Sequence, residues 1–282
     1  MCESAENGSV ICSVCPHHCR LSEGSLGRCH ARTCRGAKSV SASYGKVTSI
    51  ALDPIEKKPL SFFHPGSMIL SVGSFGCNMS CPFCQNYEIA SVGESFFRKL
   101  YSLSPEELVK IAEEHIPDGN LGVAYTYNEA MVGYEYVRDC AKLIRDAGMK
   151  NVLVTNGNVN LPVLEEVLPY IDAMNIDLKA FTPEKYEKLG GDLETVKAFI
   201  KRSAEVSHVE ITTLIVPGIS DMPEDMEAEA VWLSDIDPDI PLHITRYFPR
   251  YKMMDKSTDI GLMNELKNIA EKHLNRVILG NV

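Results

Sequence analysis

The sequence has no apolar run approaching the roughly 20 residues of a membrane-spanning helix. Its first residues, Met1-Cys2-Glu3-Ser4-Ala5-Glu6, lack the basic and apolar regions of a secretory leader. It contains neither an internal repeat nor a low-complexity tract. Positive charge is in short supply: 28 Lys and Arg face 38 Asp and Glu, a net charge of −10. That balance argues against bulk binding of duplex nucleic acid. Disorder as the main theme is excluded as well, because 45% of the residues are apolar and 23% charged. The expectation is a cytoplasmic chain with no membrane and no duplex nucleic-acid partner. Its 282 residues suggest about two domains.

Cysteine, by contrast, is abundant and clustered. Cys2, Cys12, Cys15, Cys19, Cys29 and Cys34 crowd the first 34 residues, Cys77, Cys81 and Cys84 form a second group, and Cys140 stands alone. Without an export signal, thiolate chemistry or metal binding is favoured over disulfides.

The chain divides near residue 66. Residues 1–66 form a Cys-rich, metal-binding extension in which Ser39–Ser43 and Lys46–Leu52 read as a hairpin around Tyr44-Gly45. Asp53-Pro54, Lys57-Lys58-Pro59 and His64-Pro65-Gly66 then punctuate a linker. Residues 67–282 form a core of alternating elements. Strands are expected at Met68–Val72, Leu121–Tyr125, Asn151–Thr155, Ala173–Leu178, Val209–Val216, Leu242–Tyr247 and Arg276–Leu279. Helices are expected between most of them, one opening on the capping signal Ser104-Pro105-Glu106-Glu107. The alternation implies an α/β fold with a parallel sheet, either a barrel or partial barrel or a doubly wound sheet. In a barrel, chemistry belongs at the C-terminal strand ends.

The first core strand runs into Gly76-Cys77-Asn78-Met79-Ser80-Cys81-Pro82-Phe83-Cys84, a C-x3-C-x2-C spacing. Three thiolates so placed can hold three corners of a cubane iron–sulfur cluster, which leaves one iron open for a ligand. Zinc, or buried thiols, is the alternative. Pro82 discourages a regular helix, and Phe83 puts an aromatic ring beside the sulfurs. The motif and its place on the first βα loop resemble the radical S-adenosylmethionine superfamily. That resemblance implies a 4Fe-4S cluster on Cys77, Cys81 and Cys84, with S-adenosylmethionine chelated at the open iron. One electron then cleaves the sulfonium to methionine and a 5′-deoxyadenosyl radical, which abstracts hydrogen from a substrate.

Polar strand ends are the candidates for holding that cofactor. Thr126-Tyr127-Asn128-Glu129 stands where the superfamily carries a Gly-Gly-Glu-type motif for the methionine amino group. Asn128 and Glu129 can accept from an ammonium, although Asn128 also suits a helix N-cap. Thr155-Asn156-Gly157 resembles a stretch of the glycyl-radical activases that faces the nucleoside, or is a simple turn. Asn175, Asp177 and Lys179 share one strand face and suit a zwitterionic ligand; the activases carry a similar Asp-Leu-Lys, and a surface ion pair is the alternative. Val216-Pro217-Gly218 resembles their adenine-side strand. Arg246 and Arg250 either meet an anionic or peptide substrate or form a solvated rim.

In the extension, Cys12, Cys15, Cys19 and Cys29 follow a C-x2-C-x3-C-x9-C spacing, with His17, His18 and His30 as substitute ligands. Four thiolates suit structural zinc or a second iron–sulfur cluster, with zinc slightly favoured. Cys2 and Cys34 are spare, and Cys140 reads as a packed helix residue.

Across nearly its whole length the chain resembles the AmmeMemoRadiSam-system radical S-adenosylmethionine family, relatives of pyruvate formate-lyase activating enzyme. The resemblance is carried by the Cys-Pro-x-x-Cys segment, Ala51–Leu60, Cys77–Asn86, Thr126–Glu129 and Asn175–Lys179. It implies a partial (β/α)6 TIM-like barrel with a Cys-rich N-terminal extension, and an electron donor such as flavodoxin or ferredoxin. The activases' Gly-Pro-Gly-Ile-Arg is replaced by His64-Pro65-Gly66-Ser67-Met68, and their Pro-Tyr-His by Arg246-Tyr247-Phe248. Three functions follow for test: a radical enzyme acting on a protein, including a glycyl-radical partner; one acting on a small molecule or nucleoside; and a non-catalytic metal or electron carrier.

Overall fold

The computed structural model describes residues 8–94 and 100–282. Cys2 lies outside them. The extension begins with β1 (Val10–Ile11) and β2 (Arg20–Leu21), an antiparallel pair, followed by β3 (Arg32–Arg35) and β4 (Lys38–Ser41), a second pair. This last hairpin replaces the expected one. Gly36 and Ala37 both take positive φ, +57° and +55°, as a tight two-residue turn demands. At Tyr44-Gly45 the chain does not reverse into a pair. Instead β5 (Lys46–Val47) pairs with β8 (Tyr101–Ser102), and β6 (Ser49–Pro54) joins the main sheet antiparallel to β7 (Met68–Gly73).

The remaining sheet strands are β9 (Asn120–Tyr125), β10 (Lys150–Thr155), β11 (Ala173–Asp177), β12 (His208–Ile215), β13 (Leu242–Arg246) and β14 (Val277–Gly280). All seven expected core strands form, within two residues at each end. The helices are α1 (Tyr87–Ala90), α2 (Pro105–Glu114), α3 (Tyr134–Asp146), α4 (Leu161–Val167), α5 (Pro183–Lys188), α6 (Leu193–Ala204), α7 (Pro223–Ile236) and α8 (Ile260–Ala270). The Ser104 capping box forms in both directions: Glu107 N–H donates to Ser104 Oγ at 3.2 Å, and Ser104 N–H to Glu107 at 2.7 Å. From Ala130 the chain makes a 3-10 turn as far as Gly133 and then continues as α3. Cys140 is fully buried on α3.

The eight strands run in the order β14-β13-β12-β11-β10-β9-β7-β6, parallel except for β6. The order is sequential from β7 to β14, so there is no switch point and the doubly wound alternative is excluded.

Segments at both ends of the sheet reach from one edge toward the other. After β6, the expected linker is instead packed structure. Ile55 and Leu60 are buried with Ile69, Ala124, Val152 and Ala173. Pro59 C=O accepts from Asn175 on β11, Ser61 and Phe62 N–H donate to Glu210 on β12, and Arg276, just before β14, lies over the Phe62 ring. At the other end, the turn after β13 reaches the loop after β7, where Lys252 N–H donates to Pro82 C=O at 2.9 Å.

Glu210 is the keystone of the first bridge. It is wholly buried and also bonds His208 (2.8 Å) and His243 (2.6 Å). Burial raises its pKa, but these two imidazoles and the two backbone donors outweigh burial and lower it from 4.5 to about 2. A depressed carboxylate pKa contributes stability that is fully present above the unfolded value and lost as pH falls through the folded one. Glu210→Gln is expected to cost about 3 kcal/mol at pH 6. In urea titrations the gap to wild type should close between about pH 4.5 and pH 2. A gap that ignores pH would show that Glu210 acts by packing alone.

Candidate functional site

Residues 74–86 leave β7 at its C-terminal end and wrap into the cysteine loop. Backbone bonds fix its path. Gly76 N–H donates to Ile89 C=O (2.8 Å), Ser80 N–H to Leu189 C=O (2.8 Å), and Cys77 N–H to Cys29 C=O (3.1 Å). Phe75, Met79 and Phe83 are buried, so the loop is anchored by apolar side chains while its three cysteines stay partly accessible. Burial pushes all three thiols up, Cys81 to about 11. The Glu129 carboxylate adds to this at Cys77, while the Lys179 ammonium opposes it at Cys81 and Cys84. Two donors reach the Cys77 sulfur, Met79 N–H at 3.4 Å and Asn156 Nδ2 at 3.6 Å.

The second strand end supports this loop from behind. Asn128 Oδ1 accepts from Ser74 N–H (2.9 Å), and its Nδ2 donates to the carbonyls of Phe75 and Gly76 (both 3.1 Å). Its amide is therefore spent on positioning the loop, and it caps no helix. Glu129 takes the capping role, accepting from Met131 N–H. Glu129 is buried and also accepts from Thr155 Oγ1 and Asn156 N–H, both at 2.7 Å. Burial raises its pKa, and these three donors pull against that. Asn156 continues the chain by donating to Asn78 Oδ1 at 2.9 Å. Thr126 is buried and ties the turn to β7 through its N–H to Val72 C=O.

On β11 the three predicted residues separate. Asn175 is buried lower on the strand, bonded to Thr212 and Pro59, away from the sulfurs. Asp177 and Lys179 form a half-buried ion pair at 2.8 Å beside the cysteine loop. Burial disfavours the Lys179 ammonium, but Asp177 and Cys81 outweigh it and raise its pKa. Arg246 donates to Thr258 C=O, and Arg250 is exposed on the turn after β13.

Four participants, Asn78, Tyr127, Asp53 and Lys58, were not singled out from the sequence. Asn78 is fully buried between the two cysteine sets: it donates to Asn158 C=O, and its own carbonyl meets His17 Nε2 at 2.7 Å. Tyr127 takes a left-handed φ of +72°, unusual for a bulky residue. Its ring covers Gly73, where a Cβ would lie 2.7 Å from Cδ2, and its hydroxyl donates to Asp53 at 2.8 Å. Buried Lys58 completes that group, 2.9 Å from Asp53 and over the Tyr127 ring. An acid and a lysine five residues apart at a strand end were the one available signal.

In the extension, Cys12, Cys15, Cys19 and Cys29 line one small cavity of about 10 Å³ with His17, Arg28 and Arg32. Burial lifts the Cys15 thiol to about 12 and raises that of Cys29. Cys34 lies apart, buried in β3. Among the described residues, no three His, Cys, Asp or Glu side chains are arranged as ligands of one metal ion. A cubane asks for something else, one thiolate at each of several irons. The triplet suits that group in its donor chemistry, its accessibility and the cation beside it. A zinc ion in the extension would need the thiols to draw closer.

Comparison with known proteins follows the same residues. A family model described as the Radical SAM superfamily matches residues 71–232, more than half of the chain. An uncharacterized protein of Methanocaldococcus jannaschii is 37% identical over 287 residues, covering 99% of this chain and 84% of its own. Pyruvate formate-lyase 1-activating enzyme of Escherichia coli is 29% identical over 156 residues, 52% of this chain and 60% of that enzyme. A radical SAM methyltransferase from Sphaerobacter thermophilus shares the fold, with a TM-score of 0.57 at 14% identity over 77% of this chain and 67% of that one.

Proposed function

We propose a function on one premise: this chain belongs to the Radical SAM superfamily. Membership implies a 4Fe-4S cluster and S-adenosylmethionine. When bound, they supply a 5′-deoxyadenosyl radical that abstracts a hydrogen atom. The observation that carries the reading is the accessible Cys77-x3-Cys81-x2-Cys84 loop at the C-terminal end of β7, with Asp177–Lys179 beside it.

In this reading the three thiolates hold three irons. Lys179 meets the cofactor's carboxylate, and Asp177 and Glu129 set the field for its ammonium. Asn156, through Asn78 and the Cys77 sulfur, holds the first ligand in place. Thr126 and Asn128 fix the loop rather than the cofactor, and Asn175 anchors the segment after β6. The cross-sheet contacts of Pro59, Phe62 and Lys252 support a sheet curled into a partial (β/α)6 barrel. The extension N-terminal to β6 holds a second metal centre on Cys12, Cys15, Cys19 and Cys29, either zinc or a cluster. The reducing electron comes from a flavodoxin or ferredoxin in the cytoplasm.

The substrate we favour is a protein, a glycyl-radical partner included, because the activating-enzyme match spans half of this chain. The departures at His64–Met68 and Arg246–Phe248 favour a second reading, a small molecule or nucleoside. An anaerobic assay decides on the chemistry: iron and sulfide reconstitution, reduction, and quantification of 5′-deoxyadenosine. Its absence from a fully reduced protein, with candidate substrates present, would refute the radical reading. Lys179→Ala is expected to weaken S-adenosylmethionine binding about tenfold, about 1.4 kcal/mol, at unchanged iron content. An unchanged Kd would remove Lys179 from the site.

A further inference from the structure

The turn after β13 carries Arg250, Lys252 and Lys256, all exposed, beside exposed Phe248 and Met254; its acids are Asp255 and, at its far end, Asp259, which caps α8. Among the described residues, none of these three cations pairs with a carboxylate. The turn is built rather than loose. Arg250 and Met253 exchange backbone bonds at 2.9 and 3.1 Å, and Tyr247 hydroxyl donates to Met253 C=O at 2.8 Å. Tyr251 is held at a left-handed φ of +58° and stacks on Tyr87, ring centroids 4.4 Å apart and planes 13° from parallel. Arg250 lies over the Tyr87 ring, and Lys252 over Tyr251. The Lys252 N–H bond to Pro82 C=O seats the whole turn on the cysteine loop, at the residue that follows Cys81.

A chain of net charge −10 repels an acidic protein over most of its surface. A rigid cationic turn on such a chain orients an acidic partner toward itself. We infer that this turn is the docking surface for a small acidic one-electron carrier, which places the carrier's redox group against Pro82, next to two proposed ligands. The inference rests on the cluster reading above. The transfer balances: an anionic flavin hydroquinone gives up one electron and becomes the neutral semiquinone, its N5 proton staying in place, and the cluster accepts that electron.

The test is stopped-flow reduction of the reconstituted full chain by flavodoxin hydroquinone, with dithionite as a small reductant that needs no docking. For Arg250→Glu/Lys252→Glu at low ionic strength, the flavodoxin rate should fall at least tenfold. Arg250→Gln/Lys252→Gln should give a smaller loss, and added salt should narrow both gaps. Dithionite reduction and iron content should match wild type. The control Arg35→Glu/Lys38→Glu, on the β3–β4 hairpin, should stay near the wild-type rate. A wild-type flavodoxin rate in the turn variant would overturn the docking inference. So would an equal loss in the hairpin control, which would mean net charge alone, or an equal loss with dithionite, which would mean support of the loop. A wild-type protein without a dithionite-reducible cluster would overturn the cluster reading and the docking inference together.

Discussion

Cys81→Ala should remove one whole cluster's iron, about four atoms per chain, and lower 5′-deoxyadenosine formation at least a thousandfold, about 4 kcal/mol of barrier. Cys81 is the middle cysteine of the loop, pinned on one side by the Lys252–Pro82 bond and facing Lys179 on the other. Without its thiolate, Cys77 and Cys84 alone must hold the cube, and a methyl group offers no lone pair to the third iron. Iron and zinc counted on the same sample make the result interpretable whatever fills the extension. If the extension holds zinc, iron should fall from about four to near zero; if it holds a cluster, from about eight to about four. Cys140→Ala is the matched control. That thiol is fully buried on α3 among packed side chains, so its loss should leave iron unchanged. Full iron in Cys81→Ala would refute the ligand assignment.

Most of the core was legible because its signals are local. Short apolar runs, Pro at first helical positions and the Ser104 box fix elements without reference to distant residues. The cysteine loop was legible for the same reason, since C-x3-C-x2-C is a spacing. Harder were the positions whose roles are set across the sheet. Asn175 shares a face with Asp177, yet its amide turns to Pro59, from a segment that reads as linker because Pro and Lys punctuate it. Burial of Ile55 and Leu60 overrides that punctuation. The β3–β4 hairpin was missed because Ala37 is a poor advertisement for a positive-φ turn. Tyr127 was visible only as one letter of a motif. Its left-handed backbone is tolerated because Gly73 leaves room for the ring and Asp53 receives the hydroxyl.

Gly76 marks the seam on which both cysteine sets depend, and Gly76→Ala should damage them together. Its φ is +90°, and a Cβ there would stand 2.4 Å from Cys29 C=O and 2.8 Å from the Ala31 Cβ. The clashing oxygen belongs to backbone, and it already accepts the Cys77 N–H, so it cannot swing away without breaking that bond. Gly76 C=O meanwhile receives Glu129 N–H and Asn128 Nδ2, so the loop cannot retreat either. Left-handed strain of about 1–2 kcal/mol and overpacking of about 1–3 kcal/mol combine to roughly 2–5 kcal/mol. For a chain of this size that lowers Tm by about 5–10 °C or more. Gly218→Ala separates the two causes: its φ is +72°, but nothing lies within 4 Å of the added methyl, so only the strain should appear. If the seam joins the two cysteine sets, Gly76→Ala loses iron from the loop together with any metal that the extension holds, and Gly218→Ala loses neither. Equal Tm losses in the two variants would mean that the extension yields freely and that the contact between Cys29 and Cys77 constrains neither site.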